Sequence, residues 1–257
     1  MEQIKNFMNY RFLLKELVKK GIRLKYRRSY LGIIWSMLEP LLNAIVLTIV
    51  FGTLYGHTEK SFIVYVLSGR LIYSCFSVAT KGALKSINAN AQMIKKVYVP
   101  KYIFPLSSVL FNYVIFIISL AVLVVVAFVR GVQPTKYLIG SVIPLITIFV
   151  MSLGVGLILS TIGVFFRDME YLWSVAITLI MYTCAIFYDP ERILKTNYAF
   201  IIKYNPIYGV ICNFRHCIFG EPMEHFYLVI SVAFSLITLL IGLLLFHRKQ
   251  DKFILYI

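Results

Sequence analysis

The sequence predicts an all-α, polytopic membrane protein with six transmembrane helices. Of its 257 residues, 60% are hydrophobic and 14% are charged, and the mean hydropathy is +0.82. A soluble domain of this length cannot bury so much apolar surface, which excludes an ordinary soluble enzyme. The four scattered cysteines exclude a secreted disulfide scaffold. Because no linker rich in Gly, Ser or Pro divides the chain, we expect a single domain over residues 1–257.

Residues 1–28 precede the first apolar stretch and have the pattern of an amphipathic helix. Leu14 and Leu17 fall on its apolar stripe, whereas Lys15 and Lys19 fall on the opposite side. This pattern is typical of a helix that lies in the headgroup region of a membrane. It also fits a helix that packs on a partner protein, and the two interpretations are compatible.

Six apolar stretches follow, and most are long enough for a helix to cross about 30 Å of hydrocarbon. The first five, with their connecting loops, occupy residues 29–188, and the last span and a tail occupy residues 226–257. Small residues at Ser152, Gly156 and Ser160 share one helix face and predict close helix contact, as do Gly52 and Gly56. The stretches lie at 31–55, 62–80, 103–129, 137–163, 171–188 and 226–246.

Two of the connections are long. Residues 81–102 contain a second amphipathic pattern that ends at Pro100, and we expect a short helix there on the cytoplasmic side. Residues 189–225 alternate short apolar runs with polar residues. This segment is too polar to span the membrane and too apolar for a free loop, so it predicts short re-entrant helices on the external side.

The net charge of +15 is explained by membrane orientation rather than by nucleic acid. If both termini are cytoplasmic, 18 of the 26 Lys and Arg residues lie on the cytoplasmic side. The remaining 8 lie outside or within the spans. Since cytoplasmic loops collect Lys and Arg, this distribution predicts cytoplasmic N- and C-termini.

No motif for catalysis is present in the sequence. The chain has neither a Gly-x4-Gly-Lys-Ser/Thr phosphate loop nor the His and Cys spacing of a zinc site. Cys212, His216, Cys217 and His225 form a Cys/His cluster, for which packing is a better explanation than metal binding. We therefore expect no catalytic residue, no metal and no cofactor in this chain.

Two ionisable residues, Glu39 and Arg70, fall within predicted spans, where a charge must face protein or a wet cavity. Arg70 either lines a conduit for a polar substrate or forms a structural pair, for instance with Glu39. Several aromatic residues also lie away from the membrane interfaces, and a tyrosine ring with its hydroxyl suits contact with sugars. Core packing explains any single one equally well. The conduit-lining candidates are Arg70, Tyr73, Phe76, Tyr182, Phe187 and Tyr188.

Four segments together resemble one known family. Residues 25–42 resemble the start of the first span in permease subunits of ABC-2-type polysaccharide exporters, which include O-antigen, capsule and teichoic-acid exporters. Residues 94–101 and 165–169 are similar to the first and second cytoplasmic loops of that family. Residues 204–215 resemble its external re-entrant segment, with Asn205, Pro206 and Arg215 in the matching positions. Residues 185–190 depart from it, because the proline of a Pro-Ile-x-Tyr pattern is missing.

This resemblance implies a homodimer in a bacterial inner or plasma membrane, with two copies of a separate ABC ATPase that carries ATP and Mg. It implies a polysaccharide on a polyprenyl pyrophosphate lipid as the substrate. The ATPase-docking residues would be Lys95, Lys96, Arg167 and Asp168. A basic patch of Arg23, Lys25, Arg27 and Arg28 either attracts the lipid pyrophosphate or serves orientation alone. The alternatives are export of a drug, lipid or small peptide by the same fold, or less favourably a membrane-embedded transferase.

Overall fold

The computed structural model describes residues 2–27, 29–55, 61–97 and 99–257. The side chains of residues 2–9, 55 and 192 are not included in that description. The predictions for Arg28, Gly56 and Tyr98 lie outside the described residues. The described chain is helical throughout, and its α-helices are α1 Glu2–Tyr26, α2 Trp35–Tyr55, α3 Phe62–Ala89, α4 Ala91–Lys96, α5 Ile103–Val129, α6 Val142–Phe165, α7 Met169–Thr183, α8 Glu191–Leu194, α9 Ala199–Lys203, α10 Pro206–Phe219 and α11 His225–Lys249.

The all-α, polytopic membrane fold is confirmed. Among the described residues, five helical segments are long and apolar enough to cross a membrane, and they lie at Gly32–Leu54, Phe62–Ala89, Ile103–Val129, Lys136–Phe165 and His225–Leu255. Short 3-10 helices extend three of them, at Gly32–Ile34, Lys136–Ser141 and Gln250–Leu255.

The fifth predicted stretch, 171–188, forms a shorter helix than its apolar length suggests. Helix α7 has 15 residues and ends at Thr183, because the chain turns sharply at Cys184 and Ala185. At 1.5 Å per residue, α7 is about 22 Å long, less than the hydrocarbon thickness. A sixth crossing therefore stays a prediction.

Helix α3 is the central helix of the bundle and packs against α2, α5, α6, α7 and α10. It continues to Ala89, nine residues beyond the predicted end of the second span. The extension has one buried face, with Ala83, Leu84 and Ile87, while Lys85 is exposed and Lys81 is half-buried, so the charges do not end the helix. Only the final turns of the predicted loop helix form α4, after a break at Asn90.

The contact between α6 and α11 is unusually close. A Cβ atom added to Gly154 would lie 2.5 Å from the backbone nitrogen of Leu239, and one added to Gly242 would lie 2.7 Å from the carbonyl oxygen of Gly154. Glycine is needed at both positions so that the two backbones can meet. The predicted small residue Gly156 makes a different close contact, with Ala83 of α3.

Large apolar side chains remain exposed on the outside of the bundle. On α2, Ile49 and Leu54 are 62% and 70% exposed, and Leu179 of α7 and Leu240 of α11 are each 62% exposed. Such continuous apolar surface is foreign to soluble monomers and is suited to lipid or to another membrane protein. Helix α1 differs, because Gly21 packs directly against the ring of Phe111 in α5.

Candidate functional site

Functional side chains gather at the two ends of the bundle. We call the end that carries α4, residues 166–168 and the C-terminal tail (residues 250–257) the basic end. We call the opposite end, which carries α8, α9 and α10, the α10 end.

The basic end has a shared apolar core beneath exposed charges. Phe253 of the C-terminal tail is fully buried and packs edge-on against Phe165 and Phe246, at ring-centroid distances of 5.9 and 5.2 Å. Ile94 of α4 belongs to the same core, and Leu17 of α1 packs against it. The elements that carry the predicted docking residues are therefore held together by one cluster.

The predicted docking residues Lys95, Lys96, Arg167 and Asp168 are all exposed at this end. Lys85 forms an ion pair with Glu170 at 2.7 Å, and the Lys101 ammonium donates to the carbonyl oxygen of Gln250 at 2.6 Å. These contacts join α3 to α7 and the first loop to the tail. The structure thus places the four predicted docking residues on one end of the bundle, and none of them belongs to an ion pair between described residues. Their docking role stays a prediction.

The basic patch predicted around residue 25 is divided between two surfaces. Arg23 and Arg27 line a surface groove of α1 together with Lys19 and Lys20. Lys25 instead lines a small polar cavity between α1, α2, α3 and α5. The described members of the patch therefore do not converge on one point.

This polar cavity, of about 90 Å³, also contains the two ionisable residues of the predicted spans, Glu39 and Arg70. Among the ion pairs between described residues there is none between Glu39 and Arg70. Arg70 instead lies 3.3 Å from the sulfur of Met181 and 5.9 Å from the ring of Tyr73. A direct Glu39–Arg70 pair was therefore the wrong interpretation, although both side chains line the same cavity.

The aromatic conduit candidates differ in accessibility. The Tyr73 hydroxyl donates to the carbonyl oxygen of Ile177 at 2.7 Å, and the buried ring of Phe76 meets Trp173 edge-on. Phe187 is also buried, Tyr188 is half-buried, and Tyr182 is 56% exposed. A conduit role stays a prediction for all of them, and Tyr182 and Tyr188 have the ring surface that a passing substrate needs.

At the α10 end, Arg215 fixes the turn that ends α7. Its guanidinium is 4% exposed and donates to the carbonyl oxygens of Ala185 and Ile186, both at 2.9 Å. It also donates twice to the carbonyl oxygen of Tyr65, at 3.0 and 3.1 Å, and lies 3.4 Å above the Tyr65 ring. Gly69 leaves room for this group, since a Cβ atom there would lie 2.5 Å from Nη2. We call this arrangement the Arg215 clamp.

The clamp accounts for the bend of the chain at residues 185–190, where the proline of the Pro-Ile-x-Tyr pattern is missing. Ala185 has a φ of 46°, a left-handed conformation that is costly for a residue with a side chain. Carbonyl groups turned inward by this conformation accept the hydrogen bonds of Arg215. The bend is therefore made by an alanine that a buried arginine holds in place.

Asn205 and Pro206 start α10 and support the same turn. The Asn205 side-chain oxygen accepts from the backbone nitrogens of Ile207 and Tyr208, which caps the helix, with Pro206 at its first position. The Asn205 amide also donates to the hydroxyl and carbonyl oxygens of Thr183, at 3.0 and 3.2 Å. Asn205 and Arg215 thus both bind the end of α7 or the turn that follows it, and Pro206 starts the helix that carries Arg215.

Sequence reasoning missed two residues of these sites. Tyr65 offers a carbonyl group and a ring face to Arg215, and nothing in its sequence neighbourhood indicates that role. The burial of Phe253 has a signal in the sequence, because Phe253, Ile254 and Leu255 form an apolar run in an otherwise basic tail. Of the predicted Cys/His cluster, Cys212 and His216 approach each other, with 3.7 Å between Cys212 Sγ and His216 Nε2. The described residues contain no group of three or more metal-ligating side chains.

These features define a multi-pass helical membrane protein with an exposed charged face at the basic end and the Arg215 clamp at the α10 end. A family model described as ABC-2 type transporter matches residues 13–219. The chain therefore belongs to the ABC-2 type transporter family.

Several characterised members are similar over nearly the whole chain. An O-antigen export system permease protein of Klebsiella pneumoniae is 31% identical over 254 residues, which cover 98% of this chain and 97% of that protein. An O-antigen export system permease protein of Myxococcus xanthus is 24% identical and covers 97% of each chain. A polysialic acid transport protein of Escherichia coli is 24% identical over 93% of each chain.

Proposed function

We propose that this chain is the membrane-spanning subunit of an ATP-driven exporter that moves a polysaccharide on a polyprenyl pyrophosphate lipid out of the cytoplasm. The observation that carries this proposal is the full-length similarity to permeases that are named for O-antigen and polysialic acid export. The polymer is O-antigen-like, capsular or teichoic-acid-like. A lipid-linked polymer cannot cross hydrocarbon unaided, because its sugar hydroxyl groups would lose their water.

The basic end faces the cytoplasm in this proposal, and so do both chain termini. Its exposed Lys95, Lys96 and Arg167 follow the rule that cytoplasmic loops are rich in Lys and Arg. Two copies of a separate ABC ATPase would dock there, and ATP and Mg belong to that partner. Because one apolar core supports α1, α4 and the tail, movement imposed at the docking face would reach several helices together.

A homodimer would enclose the conduit between two copies of the bundle. Exposed residues of α2 and α7, including Tyr182, supply apolar surface that a second copy would cover. Arg23 and Arg27, on the outer side of α1, are placed to attract the pyrophosphate of a lipid in the inner leaflet. Other membrane lipids would occupy the remaining apolar surface.

Charge reversal at the docking face should weaken the complex with the ATPase. We expect the double variant Lys95→Glu, Lys96→Glu to lower the amount of co-purified ATPase at least about fivefold, because like charges would then face each other across the interface. The measurement is the ratio of the two proteins after affinity purification from membranes. A matched double variant at the α10 end, Lys136→Glu with Lys203→Glu, should leave the ratio unchanged. An unchanged ratio for the first variant would remove these lysines from the interface.

The export function is tested in cells that lack the gene for this chain. In these cells we expect lipid-linked polymer to accumulate on the cytoplasmic side. Expression of the wild-type protein should restore the polymer to the cell surface. Arg70→Leu should be made in normal amounts but restore at most about a tenth of the surface polymer, because it removes the charge from the polar cavity of α3. Arg130→Leu, at an exposed position, is the control. Normal export by Arg70→Leu would make Arg70 structural, and surface polymer in the deletion strain would refute the function.

A further inference from the structure

A cavity of about 560 Å³ opens at the α10 end, next to the Arg215 clamp. Its walls come from three helices and include Tyr65 of α3, Tyr208 of α10 and Tyr227 of α11. The volume lies in the range of about 300–1,000 Å³ that is typical of small-molecule sites. The cavity lies outside the predicted conduit residues and outside the docking face, so the proposed function does not yet account for it.

Acidic side chains are concentrated in this cavity. Four of the eleven Asp and Glu residues of a chain with net charge +15 line it, namely Asp189, Glu191, Glu221 and Glu224. Glu191 pairs with Lys195 at 3.4 Å, and Glu221 lies 3.6 Å from His216. Among the described residues, Asp189 and Glu224 have no ion-pair partner. Asp189 Oδ1 already accepts from the backbone nitrogen of Glu191 at 2.9 Å, so its second oxygen and the Glu224 carboxylate are the acceptors that remain for a ligand.

The other walls are aromatic and fixed in position. Tyr208 and Tyr227 are both buried to more than nine-tenths, and their rings meet edge-on with 5.2 Å between centroids. The Arg215 guanidinium lines the cavity but is not available to bind an anion, because it already donates four hydrogen bonds to backbone carbonyl groups. The cavity thus combines aromatic walls, of which only the edges reach the open space, with carboxylate acceptors, and its four carboxylates outnumber its one guanidinium.

This combination selects among ligand classes. Anions are disfavoured by the four carboxylates, and the described residues gather no group of three that could hold a metal ion. A ring with several hydroxyl groups fits both features, because its hydroxyls donate to carboxylates while its C–H surface packs on tyrosine. We propose that this cavity binds neutral or amino-substituted sugar rings of the exported polymer and excludes acidic sugars. The inference rests on the proposed function, in which the α10 end is where the polymer leaves.

Binding is measured on the purified full-length chain in lipid nanodiscs, by isothermal titration calorimetry. The probes are maltotriose, mannotriose, the disaccharide of N-acetylglucosamine and, as the acidic sugar, digalacturonate. At least one neutral probe should bind with a Kd of about 1 mM or tighter, and digalacturonate should bind at least about tenfold more weakly. Failure of every neutral probe to bind, or equal binding of digalacturonate, would overturn the inference.

Variants localise the binding to the cavity. Glu224→Gln, at an exposed position that leaves the core intact, should weaken binding of the neutral probe at least about fivefold. Tyr227→Ala should weaken it further. The matched controls outside the cavity are Tyr204→Ala and Asp251→Asn, which should bind as the wild type does. Equal binding by Glu224→Gln and wild type would show that the sugar binds elsewhere and would overturn the inference.

The two proposals fail in different experiments. If Glu224→Gln loses sugar binding but exports polymer normally, the cavity is not on the export route, and this inference falls while the proposed function stands. If the deletion strain displays surface polymer, the proposed function falls, whatever the calorimetry shows.

Discussion

Replacing Arg215 with alanine is expected to destabilise the protein strongly and to abolish export. The change would leave the carbonyl oxygen of Ile186 without its side-chain donor in a buried site. The carbonyl oxygens of Tyr65 and Ala185 would lose the guanidinium but keep the hydroxyl groups of Ser68 and Tyr65, respectively, as donors. Each unsatisfied buried group costs about 1–3 kcal/mol, and the unfavourable φ of Ala185 would lose its support. The turn after α7 should then relax and change the direction of that helix.

Thermal unfolding of the purified protein measures this effect. All four cysteines are free and buried, so a thiol-reactive fluorophore reports unfolding without an introduced cysteine. Arg215→Lys, which keeps the charge but cannot reach three carbonyl groups at once, should be intermediate in Tm. Arg130→Ala is the control at an exposed arginine. A Tm for Arg215→Ala within about 2 °C of wild type would show that the clamp does not hold the turn.

Replacing Gly154 with alanine is expected to separate α6 from α11. The added methyl group would lie 2.5 Å from the nitrogen and 2.8 Å from the Cα atom of Leu239, both in backbone that cannot move aside as a side chain can. Overpacking of this kind costs about 1–3 kcal/mol and more where backbone must shift. We expect a clearly lower Tm in thermal unfolding. We also expect less folded protein from membranes, measured by size-exclusion chromatography in detergent.

Gly140 provides the matched control for this substitution. A Cβ atom at Gly140 would lie 3.4 Å from the nearest side-chain atoms, which is ordinary contact, so Gly140→Ala should behave as wild type. Equal yield and Tm for the two variants would contradict a backbone contact between α6 and α11.

Much of the fold follows from the hydropathy pattern alone. The long apolar runs around residues 103–129 and 137–163 became α5 and α6 with little change, because a helix is the structure that satisfies its own backbone in hydrocarbon. The exposure of Lys95, Lys96 and Arg167 at the basic end agrees with the count of Lys and Arg, whereas the orientation of the termini stays a prediction. Those properties depend on composition over about 20 residues, which a sequence displays directly.

The end of α7 could not be predicted in this way. Residues 184–187 continue the apolar run, so hydropathy extends the helix, whereas the structure ends it at Thr183. The cause lies 30 residues away, in the hydrogen bonds of Arg215. The same limitation applies to Phe253, whose burial depends on Phe165 and Phe246 coming together at the basic end.

The family resemblance supplied what local patterns did not. Asn205, Pro206 and Arg215 were expected to belong to a re-entrant segment, which stays a prediction. The structure shows that Asn205 and Arg215 bind the end of α7 and the turn after it and that Pro206 starts α10. The pairing of Arg70 with Glu39 was reasoned from charge alone and was wrong, because helix positions place both groups on one cavity without placing them in contact.

Reconstitution from purified components tests the central claim most directly. The chain and its partner ATPase are placed in proteoliposomes that carry polyprenyl-pyrophosphate-linked polymer, and a membrane-impermeant enzyme or lectin measures which side the sugar faces. The account predicts that polymer changes sides only with both proteins, ATP and Mg, and that the chain alone shows no ATP turnover. ATP hydrolysis by the chain alone, or polymer movement that does not require the chain, would contradict it.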